Sequence, residues 1–205
     1  MQLDWQLLDP ADAVHQAALA SLYPFNRLAT GQGADQKTSQ KTIQKTNQKT
    51  GLDRLLASPR ICGLLGWELQ ASGLRDRKVP GRPGRRALFF CLARRAGPVC
   101  DMIELATAAD MRRRGIALCG LARFCLYIAQ QQPQAEIFLE VAEDNLAARQ
   151  LYQKAGFAEQ ARRPGYYRRG DGRVDGRVDS RVDALLLCWQ AGSGLAHIES
   201  LAKGC

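Results

Sequence analysis

The residues best suited to chemistry fall in two stretches of this 205-residue chain. In the first, Arg112-Arg113-Arg114-Gly115-Ile116-Ala117 separates a strand-like run, Cys100 to Thr107, from a long helical pattern. A helix N-terminus presents unpaired backbone N–H groups and the positive end of its dipole, and a glycine there lets the backbone approach a phosphate closely. On these six residues alone, a pyrophosphate cradle and an arginine-rich surface turn are equally good readings. Neither G-x-G-x-x-G nor G-x-x-x-x-G-K-S/T occurs, which excludes the two commonest glycine-rich phosphate loops. The second stretch is Phe138-Leu-Glu-Val-Ala-Glu-Asp-Asn-Leu-Ala-Ala-Arg-Gln-Leu-Tyr152-Gln-Lys-Ala-Gly-Phe157. It holds Glu140 and Tyr152, residue types able to move a proton. In isolation each more often makes an ordinary surface or half-buried contact. Histidine is scarce: only His15 and His197 are present. A zinc site or a Ser-His-Asp triad would depend on these two poorly placed residues, so no metal is expected.

The elements that would position these residues are legible between breaker-rich segments. Residues 11 to 22 read as a helix, while 61 to 70 and 87 to 94 read as neighbouring strands. Cys100 to Thr107 is a further strand. From about Gly115 to Gln131, Leu118, Leu121, Ala122, Cys125, Ile128 and Ala129 recur at helical spacing, and Pro133 marks the end. In the strand 136 to 141, Ile137, Leu139 and Val141 share one face while Glu136, Phe138 and Glu140 share the other. A short helix then opens at Asp144 or Asn145 and closes at Gly156. Ala184 to Trp189 is an apolar strand, and residues 191 to 205 read as an irregular tail. The predicted order is helix, three strands, helix, strand, helix, strand, which is a mixed α/β sheet flanked by helices.

Three segments read as insertions. Residues 36 to 50 repeat Gln-Lys-Thr at a period of four, too polar to offset the entropy of ordering. Residues 72 to 86 are rich in Gly, Pro and Arg, and Arg-Val-Asp recurs within 172 to 183. The net charge of +9 is concentrated in the first two of these: eight basic residues against Asp76 in 75 to 95, and four lysines with no acid in 36 to 50. A nucleic-acid groove would need cations spread over a folded face with aromatic platforms. Solvated loops are favoured, with loose ribosome or RNA contact through them as the remaining option.

Composition bounds the rest. Hydrophobic residues make up 46% and charged residues 24%, as in an ordinary globular protein. The longest apolar run, Ile116 to Ala129, is broken by Arg123 and is shorter than the roughly 20 residues of a membrane span, so no membrane role is expected. Met1 to Asp9 carries acids where an export signal carries basic residues. Seven cysteines without a C-x-x-C pair read as reduced thiols, and the expected location is the cytoplasm.

Taken together, the two chemical stretches resemble the GNAT superfamily of acetyl-CoA-dependent N-acetyltransferases. The R-x-x-G-x-A turn at 112 to 117 is similar to its pyrophosphate loop. Glu140-Val141, followed by Asn145-x-x-Ala-x-x-Leu-Tyr152-x-x-x-Gly156-Phe157, is similar to its second signature. The resemblance runs from about 100 to 167 and resumes at 183 to 189. More narrowly the chain resembles the RimI type, whose members acetylate the N-terminal alanine of a small-subunit ribosomal protein.

The resemblance implies a GNAT fold over residues 1 to 190 with a tail from 191 to 205. It also implies acetyl-CoA as co-substrate and a ribosomal-protein N-terminus as acceptor. Leu105, Ala106 and Thr107 would pair through their backbone with the pantetheine arm. Arg113, Arg114, Gly115, Ile116, Ala117 and Leu118 would hold the pyrophosphate, and Asn145 would hydrogen-bond the cofactor. Glu140 would be the general base and Tyr152 the general acid. An α-amine has a pKa near 8, so at pH 7 a carboxylate must take a proton before the amine can attack a thioester. The family's basic-x-Tyr-Tyr segment is altered here, because Pro164-Gly165 stand between Arg162-Arg163 and Tyr166-Tyr167. The rival expectations are a small-molecule amine acceptor and a non-catalytic acetyl-CoA- or ribosome-binding protein.

Overall fold

A computed structural model describes residues 3–22, 53–69, 85–169 and 180–204. The Gln-Lys-Thr repeats at 36 to 50, residues 72 to 84 of the basic loop and residues 172 to 179 of the Arg-Val-Asp copies lie outside the described residues.

A seven-stranded sheet organises the chain in the order β1-β2-β3-β4-β5-β7-β6. The strands are β1 (Leu3–Leu7), β2 (Ile61–Leu69), β3 (Arg85–Ala96), β4 (Val99–Thr107), β5 (Glu136–Ala142), β6 (Ala158–Arg169) and β7 (Ser180–Gln190). The helices are α1 (Ala13–Leu22), α2 (Ile116–Gln131), α3 (Leu146–Lys154) and α4 (Ala191–Lys203), with a 3-10 turn at Ala109–Met111. Among the described residues only β4 and β5 pair in parallel. A parallel pair needs a long crossover, and α2 supplies it.

β3 carries the apolar run Ala-Leu-Phe-Phe-Cys-Leu-Ala because both of its faces are covered. Phe89, Cys91 and Ala93 join the core beneath α2, while Phe90 and Leu92 join a second cluster with Ala18 and Leu19 of α1 and with Trp67. On α2, the residues at helical spacing face the sheet: Leu121, Ala122, Phe124, Cys125 and Ile128 are buried. Ile137, Leu139 and Val141 of β5 enter the same core, so the alternation of the strand turns Glu140 to the opposite face.

Several elements depart from the sequence expectation. Residues 191 to 203 form α4 rather than an irregular tail, with Ala191 and Ile198 buried in the main core and the helix lying against α2. Two strands were not anticipated. β1 pairs with β2 from Leu3↔Glu68 to Leu7↔Leu64, and Trp5 meets Phe89 edge-on at 5.6 Å. β6 is a polar edge strand with a register shift between Arg163 and Tyr167, and an edge or a bulge is where a sheet tolerates a proline such as Pro164. β7 begins at Ser180 and so absorbs the last Arg-Val-Asp copy, and β3 begins at Arg85, inside the segment expected to be loop.

The thiols also need one correction. Cys62, Cys91, Cys100, Cys125 and Cys188 are free, but Cys119 is disulfide-bonded. It stands in the first turn of α2 and is half-buried. Burial pushes the Cys91 and Cys125 thiols well above their ordinary range and leaves them as packing groups. Among the described residues no helix is long and apolar enough to cross a membrane, and no His/Cys/Asp/Glu group could hold a metal.

Candidate functional site

β4 and β5 part company. Their pairing runs only from Val99↔Glu136 to Asp101↔Phe138, while β4 stays paired with β3 as far as Thr107↔Phe89. Leu105, Ala106 and Thr107 therefore keep one backbone edge turned to a gap, on the side where a neighbouring strand would lie. A pantetheine arm carries two amides and can fill that edge as an added strand does. Thr107 Oγ1 is buried with no partner, an orphaned polar atom of the kind a bound ligand satisfies. The Thr107 carbonyl accepts from Arg112 Nε at a long 3.4 Å.

Beyond β4 the chain turns through the 3-10 segment into the arginine-rich loop. Arg113 has φ +62° and Gly115 has φ +82°, so two left-handed residues alternate with extended and helical ones. Alternation of this kind points successive N–H groups into one concavity, an arrangement that binds anions. Gly115 is the N-cap of α2 and makes no side-chain cap bond. The first intrahelical bond is Cys119 N–H to the Gly115 carbonyl, which leaves the N–H groups of Ile116, Ala117 and Leu118 open. Arg112, Arg113 and Arg114 are exposed around this concavity. Asp110, the nearby acid, is paired with Arg86, which holds its carboxyl below the usual range.

Gly115 has open space around its Cα, so a side chain there would be strained by φ and not by collision. Gly115→Val should retain the fold while weakening CoA binding about ten-fold, the scale of a left-handed penalty for a β-branched residue. Isothermal titration calorimetry with CoA measures this directly.

Across the gap stands β5. Glu140 lies past the last β4–β5 pair, with its side chain 27% exposed. Its Oε1 accepts from Arg163 Nη1 of β6 at 2.9 Å. Asn145 is the N-cap of α3: its Oδ1 accepts from Ala148 N–H at 3.3 Å, which leaves the Nδ2 amide to face a ligand. Tyr152 sits in the last turns of α3, half-buried against the α2-side core, its ring 5.7 Å from that of Phe157. Gly156, at φ +84°, ends the helix where the sequence placed its stop.

The expected cofactor residues thus share one end of the sheet, with Glu140 and Asn145 on the facing strand and turn. Arg163 and Tyr166 enter the site without having been assigned a role in it. Their signal was the Arg-Arg-Pro-Gly-Tyr-Tyr segment, which only the β6–β7 register brings next to Glu140. A cleft of ≈ 430 Å³, lined by Arg60, Cys62, Arg95 and Tyr127, lies instead where β2 and β4 begin and α2 ends.

Residues 79–157 match the family model described as the acetyltransferase (GNAT) family. None of the curated proteins matches the sequence. Among solved structures, the chain is similar to the ribosomal-protein-S18-alanine N-acetyltransferase from Escherichia coli, at 17% identity and TM-score 0.57 over 93% of this chain and 94% of that one. It is similar to Arabidopsis thaliana NAA60 in complex with acetyl-CoA, at 13% identity and TM-score 0.58 over 92% and 98%. It is also similar to a spermidine N-acetyltransferase chimera from Vibrio cholerae and hSSAT, at 14% identity and TM-score 0.58 over 95% and 99%. The chain therefore has the GNAT fold along nearly its whole length, and residues 79–157, which span β3 to α3, are similar to the acetyltransferases of that family.

Proposed function

We propose that the protein transfers acetyl from acetyl-CoA directly to the α-amine of a protein N-terminus, with the N-terminal alanine of a small-subunit ribosomal protein as acceptor. The observation that carries this reading is the open β4 edge at Leu105 to Thr107, leading straight into the left-handed loop that opens α2. That pairing offers an amide edge and an anion cradle in the order in which pantetheine and pyrophosphate follow one another. Acetyl-CoA supplies the thioester acyl group. Arg113 to Leu118 hold the pyrophosphate chiefly through N–H groups, and Asn145 Nδ2 donates to the pantetheine.

Glu140 takes the proton of the bound ammonium, and the free amine can then attack. Tyr152 returns a proton to the departing thiolate, while backbone N–H groups steady the oxyanion. The cytoplasm is where acetyl-CoA and newly made ribosomal proteins meet, and it is the location this reaction implies. The basic segments at 36 to 50 and 75 to 95 would add loose attraction to ribosomal RNA.

A second reading, a small polyamine acceptor, draws on the carboxylates of Glu140, Glu143, Glu159 and Asp183, which gather around Arg162 and Arg163. Comparing kcat/KM for an alanine-led ribosomal peptide and for spermidine separates the two. At least a ten-fold preference for the peptide is expected, and a reversed preference would select the polyamine.

A further inference from the structure

We propose that Arg163 occupies the acceptor's place on Glu140 and is displaced from it by the incoming ammonium, so that the resting site admits acceptors that bring a positive charge. This inference rests on the reading of Glu140 as the general base.

The placement of Arg163 is built by the segment that separates it from the two tyrosines. Arg163 pairs with Ala184 and Tyr167 with Val182, so Pro164, Gly165 and Tyr166 together oppose Asp183 alone. Pro164 has no N–H for the ladder, and Gly165, at φ +60°, turns the chain outward. The bulge is fastened from β7, where Asp183 Oδ1 accepts the Gly165 N–H at 2.9 Å and Oδ2 accepts Arg162 Nη1 at 3.2 Å. The Gly165 amide, with Arg162 beside it, holds the Asp183 carboxyl below its ordinary range.

The two adjacent arginines consequently do different work. Arg162 is held by Glu143, Glu159 and Asp183 and is a structural tie. Arg163 has Glu140 as its partner carboxylate, is 56% exposed, and lies 5.6 Å over the ring of Tyr166, itself 52% exposed. The one guanidinium thus touches the carboxylate and the aromatic face together, and the Tyr166 ring can keep hold of the cation when an acceptor takes its place on Glu140.

Chemistry makes the contact consequential. A guanidinium stays protonated in proteins, so Arg163 can donate a hydrogen bond to Glu140 but can never be the group Glu140 deprotonates. While it sits on Oε1, it takes one acceptor site of the carboxylate and offsets its charge, so an incoming ammonium is drawn to Glu140 less strongly. An acceptor ammonium donates to the same carboxylate with a full positive charge and competes with the guanidinium, whereas a neutral or anionic acceptor brings no charge to compete with. Exchange is cheap because an exposed ion pair is a weak one.

Arg163→Ala should therefore lower KM two- to five-fold for both an alanine-led peptide and spermidine, with kcat within two-fold of the parent enzyme. Arg163→Lys should restore most of the parent KM. An unchanged or raised KM in Arg163→Ala, or a kcat loss beyond two-fold, would overturn the proposal, because Arg163 would then hold the acceptor or position the base. Glu140→Gln measured alongside separates the layers. If it abolishes turnover while Arg163→Ala leaves KM untouched, the displacement proposal alone fails. If Glu140→Gln turns over normally, or the parent enzyme acetylates neither acceptor, the underlying reading fails and this one with it.

Discussion

Glu140→Gln is expected to lower kcat for an α-amine acceptor by about 10²- to 10⁴-fold, the usual contribution of a positioned general base. Glutamine keeps the size of the side chain and can still accept a hydrogen bond from Arg163, so the loss would isolate proton acceptance from packing. Glu140 stands on the half-exposed face of β5, opposite the core made by Ile137, Leu139 and Val141, and stability should change little. CoA affinity should also hold, because the residues proposed to cradle CoA belong chiefly to β4 and α2. The variant's pH profile gives a second readout. An α-amine titrates near pH 8, so raising the pH supplies the free base that Glu140 would otherwise generate. Residual activity of the variant should therefore climb between about pH 7 and 9 and then level off. Stopped-assay kcat values across that range check both statements, and parent-like kcat at pH 7 would remove Glu140 from its role.

Trp189→Ala is expected to destabilise the domain by about 3–5 kcal/mol, the range for emptying a large aromatic site. Trp189 is 1% exposed, pairs with Ile137 across β5 and β7, and lies in the main core with Ile198 of α4. Gly194 presses its backbone so closely on the indole that a Cβ there would collide with Nε1. Removing the ring would leave a cavity and undock the first turns of α4. With a total stability of about 5–15 kcal/mol typical of a domain, most of the margin would go. Trp189→Phe should cost much less, under about 1.5 kcal/mol, since it keeps most of the apolar volume and deletes an Nε1 that has no partner. Urea midpoints with unchanged slopes measure both. A loss below about 1 kcal/mol for the alanine variant would show that α4 is not anchored through this residue.

What could be read from the sequence follows the strength of each local signal. α2 was legible because its buried positions, Leu121 to Ile128, repeat at helical spacing over sixteen residues and end just before Pro133. β3 and β5 were legible for opposite reasons, one a continuous apolar run for a strand covered on both faces, the other a clean alternation. β1 did carry a signal, the alternation Leu3, Trp5, Leu7, but five residues beside two acids are too few to stand out. β6 carried almost none, since an edge strand with exposed arginines, a proline and a glycine reads like a loop until β7 is beside it. α4 was hidden by Gly192 and Gly194, poor helix formers, of which Gly194 lies against Trp189.

The site divides in the same way. The half of the site proposed to hold the cofactor is local, a strand, a loop and a helix start in order along the chain. Its acceptor half is assembled across strands: Glu140 and Arg163 are twenty-three positions apart and meet only because β7 enters the sheet between β5 and β6. Cys119 fails for a related reason, because a disulfide is a tertiary contact that the spacing of cysteines does not disclose.

The central claim, acetyl transfer to a free α-amine, is tested most directly by mass spectrometry of an alanine-led ribosomal peptide and its N-terminally blocked twin after incubation with acetyl-CoA and the enzyme. One acetyl group on the free peptide's α-amine and none on the blocked peptide is the expected result. No acetylation of either peptide by enzyme that binds CoA would contradict the claim.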